Sequence, residues 1–418
     1  MATRLRAIFV LCFVCYWLQN TKAQAPTTNR DDDIALLESC PLAFRRHLSE
    51  YSAWHAEALK ALLNNQAALP PIVVFRCLDT DYCNGIGDRL PGLAALFYLS
   101  MRTRALFFID MPAWLHAVMP TSFDWRYTSN VAAIVRKLPG GNGGTRDLID
   151  CPKRGPRCIF AHNFGYSHTP KFSTSRTTAV QFIKTNRGLW SDLANTAASH
   201  RTKVTEVGLN ASTWGCVYRA IFRPKASLLA AIARDWDLNM IGVRDEQPLH
   251  VCTHYRSGDR TMALDREPKK EDIRRFSANM VCAAAALQLT HAGAAAVVLA
   301  SADSRKIKQM AQGLLGVPGV RVHTSRVTPA HINTRDITRR GAGGRQPRAS
   351  VADRTIASFV DWFALTRCAV WAGSDDTMRS GFSRTAAVYG LAQRFLSCDH
   401  TPPSFSTLDR FIRTGSGA

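Results

Sequence analysis

The stretch CLDTDYCNGIGDRLPGLAALFYLSMRTRALFFIDMP, residues 77–112, decides the fold. Just before it, residues 72–75 (IVVF) form a short apolar run that reads as a buried strand. The turn Asn84-Gly85-Ile86-Gly87-Asp88 then opens an uncharged helix over residues 90–101, and residues 105–109 (ALFFI) read as a second strand. Strand, loop, helix and strand in that order form the building unit of a parallel sheet.

The last third repeats the pattern. Strands are expected at 250–254, 294–300 (AAAVVLA), 320–323 and 368–372. Helices are expected at 270–290, 304–315, 351–366 and 383–394. This alternation predicts a Rossmann-like parallel sheet. Residues 34–69 read as a helix stopped by Pro70-Pro71, and 214–235 as a helix broken at Pro224. Residues 110–210 are less regular, with a Gly-rich loop at 139–144 and a Ser/Thr-rich stretch at 169–178, as insertions around an acceptor cleft would be. The expected plan is a linker and N-terminal helix (24–70), an acceptor-side α/β domain (71–245), a Rossmann-like domain (246–400) and a tail (401–418). A chain of 418 residues accommodates two such cores.

The N-terminus carries an address. Arg4 and Arg6 precede an apolar run at 7–18 (AIFVLCFVCYWL), and Thr21-Lys22-Ala23 resembles a signal-peptidase site. Twelve residues of helix rise only ~18 Å, short of a ~30 Å bilayer core. A cleaved signal peptide at 1–23 is therefore favoured over a signal anchor, and a membrane is a partner only if the segment stays as an anchor. The secretory pathway, as Golgi or ER lumen or as secreted protein, is the expected location.

The formal net charge of +21 attracts polyanions. No finger spacing, RNP-like strand or basic amphipathic helix points to nucleic acid. Acidic glycans, anionic membrane surfaces or a diphosphate-bearing donor fit a secretory chain; a compositional bias toward Arg is the plain alternative. The aspartate run at 31–33 reads as a solvated charge run.

Of the 12 cysteines, Cys12 and Cys15 lie in the N-terminal segment, and the even remainder points to disulfides. Cys77 with Cys83, and Cys151 with Cys158, bracket turn-rich stretches and are candidate local bridges. Cys252 and Cys368 sit in apolar strand-like runs and are expected as buried free thiols. No CxxC with a matching His pair occurs, so no metal site is expected. Asn210-Ala211-Ser212 is the single N-glycosylation sequon.

Three loops follow expected strands, where open α/β sheets take ligands. The first, His254-Tyr255-Arg256-Ser257-Gly258-Asp259-Arg260, offers a histidine and arginine forks suited to a diphosphate. In the second, Asp303 either faces a ligand or caps the following helix. The third, residues 374–383 (SDDTMRSGFS), brings hydroxyls and free N–H groups to a helix start. Asp375 and Asp376 alone make a poor cation cage.

In this order the three blocks resemble the superfamily of α-1,2, α-1,6 and protein O-fucosyltransferases. The first block is similar to its HxRxGD motif. Asp303 stands after a buried strand as in the second motif. Asp361 opens a third block that Ser380-Gly381-Phe382-Ser383 closes. Asn84-Gly85-Ile86-Gly87-Asp88-Arg89-Leu90 is similar to the G-x-G-[ND]-R-L segment of plant-type members. The resemblance spans roughly residues 72–395.

It implies a GT-B-like α/β fold, with two Rossmann-like domains facing a cleft. It implies an inverting transfer of fucose from GDP-fucose to a glycan or protein acceptor, with no metal or other cofactor. Arg256 would clamp the β-phosphate, and His254 would line the nucleotide site beside Gly258 and Asp259. Asp303 would contact guanine. Ser380 and Ser383 would hold phosphate with Phe382 packed beside them, and Asn84, Gly85, Gly87, Asp88 and Arg89 would face the cleft. Pro91 departs from the family, where many members carry Arg; a proline there can still begin a helix. Asp79, Asp81 and Asp110 are candidates for a general base by position alone. The alternative is a secreted, catalytically inactive GT-B-like protein that binds nucleotide-sugars or acidic glycans.

Overall fold

The computed structural model describes residues 37–65, 69–77, 86–142, 146–147, 180–184, 206–210, 213–236, 250–255, 269–290, 296–302, 307–308, 320–327, 350–368, 370–374, 380–392, 394–398 and 404–407. In the first half these form α1 (Leu42–Leu63), β1 (Ile72–Arg76), α2 (Ile86–Thr103), β2 (Leu106–Asp110), a 3-10 turn (Pro112–His116), β3 (Val118–Pro120), α3 (Ser129–Val135), β4 (Arg146–Asp147) and β5 (Val180–Lys184). Then come α4 (Gly215–Ile221), β6 (Phe222–Pro224), α5 (Ala226–Trp236), β7 (His250–Tyr255), α6 (Lys270–Thr290), β8 (Ala296–Ala302) and β9 (Val320–Thr324). The chain continues through α7 (Val351–Leu365), β10 (Val370–Gly373), α8 (Gly381–Tyr389), β11 (Arg394–Ser397) and β12 (Ser404–Thr407).

The first sheet has the order β2-β1-β5-β4 and is parallel throughout. Its β1 residues are apolar and buried through Phe75, as a strand covered on both faces requires. The register pairs Arg76 with Asp110 at the carboxyl ends of β1 and β2. Helix α1 covers this sheet with Phe44, Leu48, Tyr51, His55, Ala58 and Leu62, an amphipathic stripe with steps of three and four. The Tyr51 hydroxyl donates to the Ala105 carbonyl at 2.8 Å, and His55 Nε2 meets the Phe107 carbonyl at 3.2 Å.

Helix α1 is shorter than its sequence predicts. Helical structure is interrupted at Cys40–Pro41, and the helix ends at Asn64–Asn65, with Asn65 in the left-handed region at φ 54°. Asparagine tolerates that conformation, so the helix stops before Pro70-Pro71 is reached. Pro91 lies inside α2 and does not begin it. Lacking an N–H, it leaves the Gly87 carbonyl without its helical donor.

The second sheet has the order β12-β11-β10-β7-β8-β9. All its pairs are parallel except the edge pair β11–β12. Read from β9 in chain order this is 3-2-1-4-5-6, the Rossmann arrangement, with the reversal between β7 and β10. Two strands were hidden in the sequence. Arg394, expected at the end of the last helix, begins β11, and β12 lies in the expected tail. Helix α8 ends where Leu391 turns into the left-handed region at φ 55°, and Gly390 before it lies against Thr366, where a Cβ would come within 2.1 Å of the carbonyl oxygen.

Residues Leu37–Ala418 form one compact unit. One hydrophobic core joins elements of both halves, with α2 packed against α8 and Trp114 against Phe359 (ring centroids 5.1 Å apart). Cys40–Cys216 ties the start of α1 to α4, and Cys282–Cys398 ties α6 to the end of β11. Cys252 and Cys368, expected as free thiols, are bonded to each other. Their separation in sequence concealed that β7 and β10 are paired neighbours, with Cys252 opposite Trp371. Cys77 is disulfide-bonded, while Cys83, Cys151 and Cys158 lie outside the described residues. Among the described residues no helix is long and apolar enough to cross a membrane.

Candidate functional site

The strand order reverses between β7 and β10, and open α/β sheets take ligands in the crevice at the carboxyl ends of the strands at such a reversal. Two of the three predicted blocks meet there. His254, next to last on β7, is buried, and its Nδ1 shares a 2.8 Å hydrogen bond with the Ser383 hydroxyl of α8. Phe382 lies against the same imidazole, with ring centroids 5.0 Å apart. These residues are 129 positions apart in sequence, and the parallel crossover through α7 and β10 brings them together.

Ser380 is the N-cap of α8, yet its side chain makes no cap hydrogen bond. Its hydroxyl is buried with no protein partner among the described residues. A buried hydroxyl without a partner is costly, and one at a helix start is well placed to bond an anionic ligand. The nine-residue α8 therefore offers N–H groups, the Ser380 hydroxyl and the His254–Ser383–Phe382 wall at one edge of the crevice. The end of β10 is fixed from the other side, where the Ser374 N–H donates to Asn279 Oδ1 of α6 at 3.0 Å.

The end of β8 is held by a buried polar cluster. Ser301 donates to Asp361 Oδ2 of α7 at 2.9 Å. Lys308, 2% exposed, places Nζ 3.5 Å from the same oxygen and donates to the Ser325 hydroxyl and the Val327 carbonyl, both at 2.6 Å. The other oxygen, Asp361 Oδ1, is buried without a partner among the described residues. From the sequence, Asp361 has only a place in a motif and Ser301 only a place in the second loop, Ser301-Ala302-Asp303-Ser304, while Lys308 is not singled out. Lys308 falls inside the helix expected at 304–315, where a lysine reads as a surface residue.

The remaining predicted residues divide in two. Gly87, Asp88 and Arg89 lie on α2, which packs against α8; Gly87 and Arg89 are buried. Asn84, Gly85, Arg256, Gly258, Asp259 and Asp303 lie outside the described residues. Asn210 is exposed, with its Oδ1 accepting from the Thr213 N–H at 3.0 Å. Among the described residues no three His, Cys, Asp or Glu side chains gather as a metal site.

The two sheets with helical cover, parallel but for one edge pair and one of them in Rossmann order, define a GT-B-like α/β fold. The chain is similar to a point mutant of Arabidopsis thaliana FUT1 in complex with GDP, with a TM-score of 0.56 and 11% identity over 85% of this chain and 80% of that one. This likeness establishes a shared fold. A looser likeness, with a TM-score of 0.45 and 13% identity, links it to the fucosyltransferase NodZ from Bradyrhizobium over 81% of this chain and 99% of that one. No protein-family model matches the chain, and no curated protein matches it in sequence.

Proposed function

We propose that the chain is a GDP-sugar-dependent glycosyltransferase of the fucosyltransferase superfamily, inverting and without a metal requirement. The observation that carries this reading is the His254–Ser383–Phe382 wall at the strand-order reversal of the second sheet, beside the α8 N-terminus. Two further points support it: the three motif blocks in family order, and the fold shared with a structure that holds GDP. In this reading the 246–400 segment binds the donor and the 71–245 segment faces the acceptor.

The chemistry follows from the charges. As the glycosidic bond to the diphosphate breaks, negative charge grows on the β-phosphate oxygens. Arg256, directly after β7, stabilises that charge with a fixed positive fork, and the α8 N–H groups and Ser380 add neutral donors. His254, held by Ser383, lines the nucleotide, and Asp303 accepts from the guanine N–H groups. Disulfide usage supports an oxidising, secretory compartment.

The test is binding and turnover across a panel of nucleotide-sugars, comparing the unaltered chain with Arg256→Ala. GDP binding and GDP-fucose turnover are expected, with turnover lost in the variant and insensitive to EDTA. Preference for a UDP-sugar would overturn the donor assignment. Donor binding without turnover toward any acceptor would favour an inactive nucleotide-sugar binder.

A further inference from the structure

A second site lies at the carboxyl ends of β1 and β2. It is a cavity of about 400 Å³ whose lining includes Arg76, Asp110, Tyr127, Ser129, Arg136 and Asn142. That volume falls in the range of small-molecule sites, ~300–1,000 Å³. The cavity belongs to the first sheet, and no part of the proposed donor site contributes to its described lining.

Its charges are ordered. Asp110 Oδ2 accepts from Arg76 Nε at 2.7 Å, across the β1–β2 register. The Arg76 guanidinium lies 3.6 Å from the centroid of the Phe182 ring and 5.7 Å from that of Tyr127. An arginine held by a carboxylate and two aromatic rings is preorganised, so little side-chain freedom remains to be lost on binding. Arg136, at the end of α3, bonds through Nε to the Ala132 carbonyl, and among the described residues no carboxylate pairs with it. Two guanidinium groups against one carboxylate leave the described lining with one uncompensated positive charge. Burial pushes the Tyr127 phenol above its usual pKa, so it stays a hydrogen-bond donor at neutral pH. Ser129 and Asn142 add neutral hydrogen-bonding groups, and the Tyr127 ring offers an apolar face.

We propose that this cavity is a subsite for an acidic sugar of the acceptor glycan, its anion a carboxylate or a sulfate, with Arg136 as the group that reads the charge. The inference rests on the glycosyltransferase reading above. Hydroxyls of a pyranose match the Asp110, Ser129, Asn142 and Tyr127 groups, and the anion matches the arginine pair. A neutral glycan would leave the excess cation of the described lining without an anionic partner.

The experiment measures binding of three oligosaccharides with one backbone to the full chain: neutral, glucuronate-bearing and sulfated. At least one acidic form is expected to bind about tenfold tighter than the neutral form at low salt, and the tighter of the two names the anion. Arg136→Ala, at an exposed helix end, is expected to abolish that preference with GDP affinity unchanged. The charge-matched Arg234→Ala, on α5, is expected to keep it. Equal binding of neutral and acidic forms, no glycan binding at all, or a preference that survives Arg136→Ala would each overturn the subsite. Loss of the preference in both variants would overturn it too, as an effect of overall charge. Failure to bind GDP would instead remove the glycosyltransferase reading, and the same preparation reports both.

Discussion

Lys308 directs its ammonium at Asp361 Oδ2 from 3.5 Å, and both side chains are buried. The pair joins the segment after β8 to α7, and through Ser325 and Val327 to the segment after β9. It thereby ties together the segments that follow the carboxyl ends of two neighbouring strands. Removing one partner leaves an uncompensated buried charge, which costs ~3–5 kcal/mol. Lys308→Met is therefore expected to lower unfolding stability by about that much, while Lys308→Met with Asp361→Leu recovers most of it. Chemical denaturation of the two variants checks this; a double variant as unstable as the single would show that the charges themselves are not the cause.

The Ser383 hydroxyl shares a hydrogen bond with His254 Nδ1, so Ser383→Ala strips that buried ring nitrogen of it. A buried group left unsatisfied costs ~1–3 kcal/mol. A drop in stability of that size is expected together with weaker GDP binding, because the imidazole then loses one of the contacts that orient it. Ser383→Thr keeps a hydroxyl and is expected to retain more of the binding. Calorimetric titration with GDP reads the difference, and equal affinity in all three proteins would detach His254 from the nucleotide.

Legibility followed locality. The β1–α2–β2 unit and β7, α6 and α7 could be read because each is a continuous run with its own periodicity. Strands β11 and β12 could not: RFLS and SFST are short and partly polar, and their sheet neighbours define them. His254 and Ser383 were each legible inside a motif, but their contact depends on a crossover. The Cys252–Cys368 bond and the Lys308–Asp361 pair join segments far apart in sequence, which no local pattern encodes.

His55 sets an acid limit on stability. Burial lowers its pKa from 6.5 to about 4, opposed by the weaker pull of the Phe107 carbonyl. The folded value lies below the unfolded one, so the unfolded chain binds the proton more readily. The contribution is fully present above pH ~6.5 and is lost as pH falls toward 4; a depression of that size corresponds to roughly 3 kcal/mol. Unfolding of the native chain is expected to become steeply easier between pH 6.5 and 4, with a shallower slope in His55→Phe. An NMR titration of His55 with a midpoint near 6.5 would contradict the account.

Cys252–Cys368 and Cys282–Cys398 each bridge a sequence separation of 116 residues, and Cys40–Cys216 bridges 176. Loops of this length restrict the unfolded chain strongly, and losing such a bond costs ~2–5 kcal/mol. Peptide mapping without reduction is expected to recover these three pairs. Cys252→Ala with Cys368→Ala is expected to lower the melting temperature measurably, and recovery of unpaired Cys252 from the native chain would refute the pairing.

Gly215 tests how the two halves are locked together. It begins α4, where a Cβ would come within 1.9 Å of the Val388 carbonyl oxygen and 2.7 Å of Leu391 Cδ2. The first neighbour is backbone of α8 and cannot swing aside. Beside it Arg219 Nε donates to the Tyr389 carbonyl at 2.8 Å, and Tyr389 stacks on Phe222 with centroids 5.9 Å apart, so the whole seam must open to admit one methyl group. Gly215→Ala would raise intrinsic helix propensity by ~1 kcal/mol in isolation. Overpacking costs typically ~1–3 kcal/mol and here acts on backbone, so net destabilisation is expected. Because α8 also carries Ser383, the same shift is expected to weaken GDP binding, whereas a substitution at exposed Leu229 on α5 should move neither quantity. Paired melting and GDP titration decide it: a Gly215→Ala protein as stable as the parent would mean that α4 and α8 do not approach this closely.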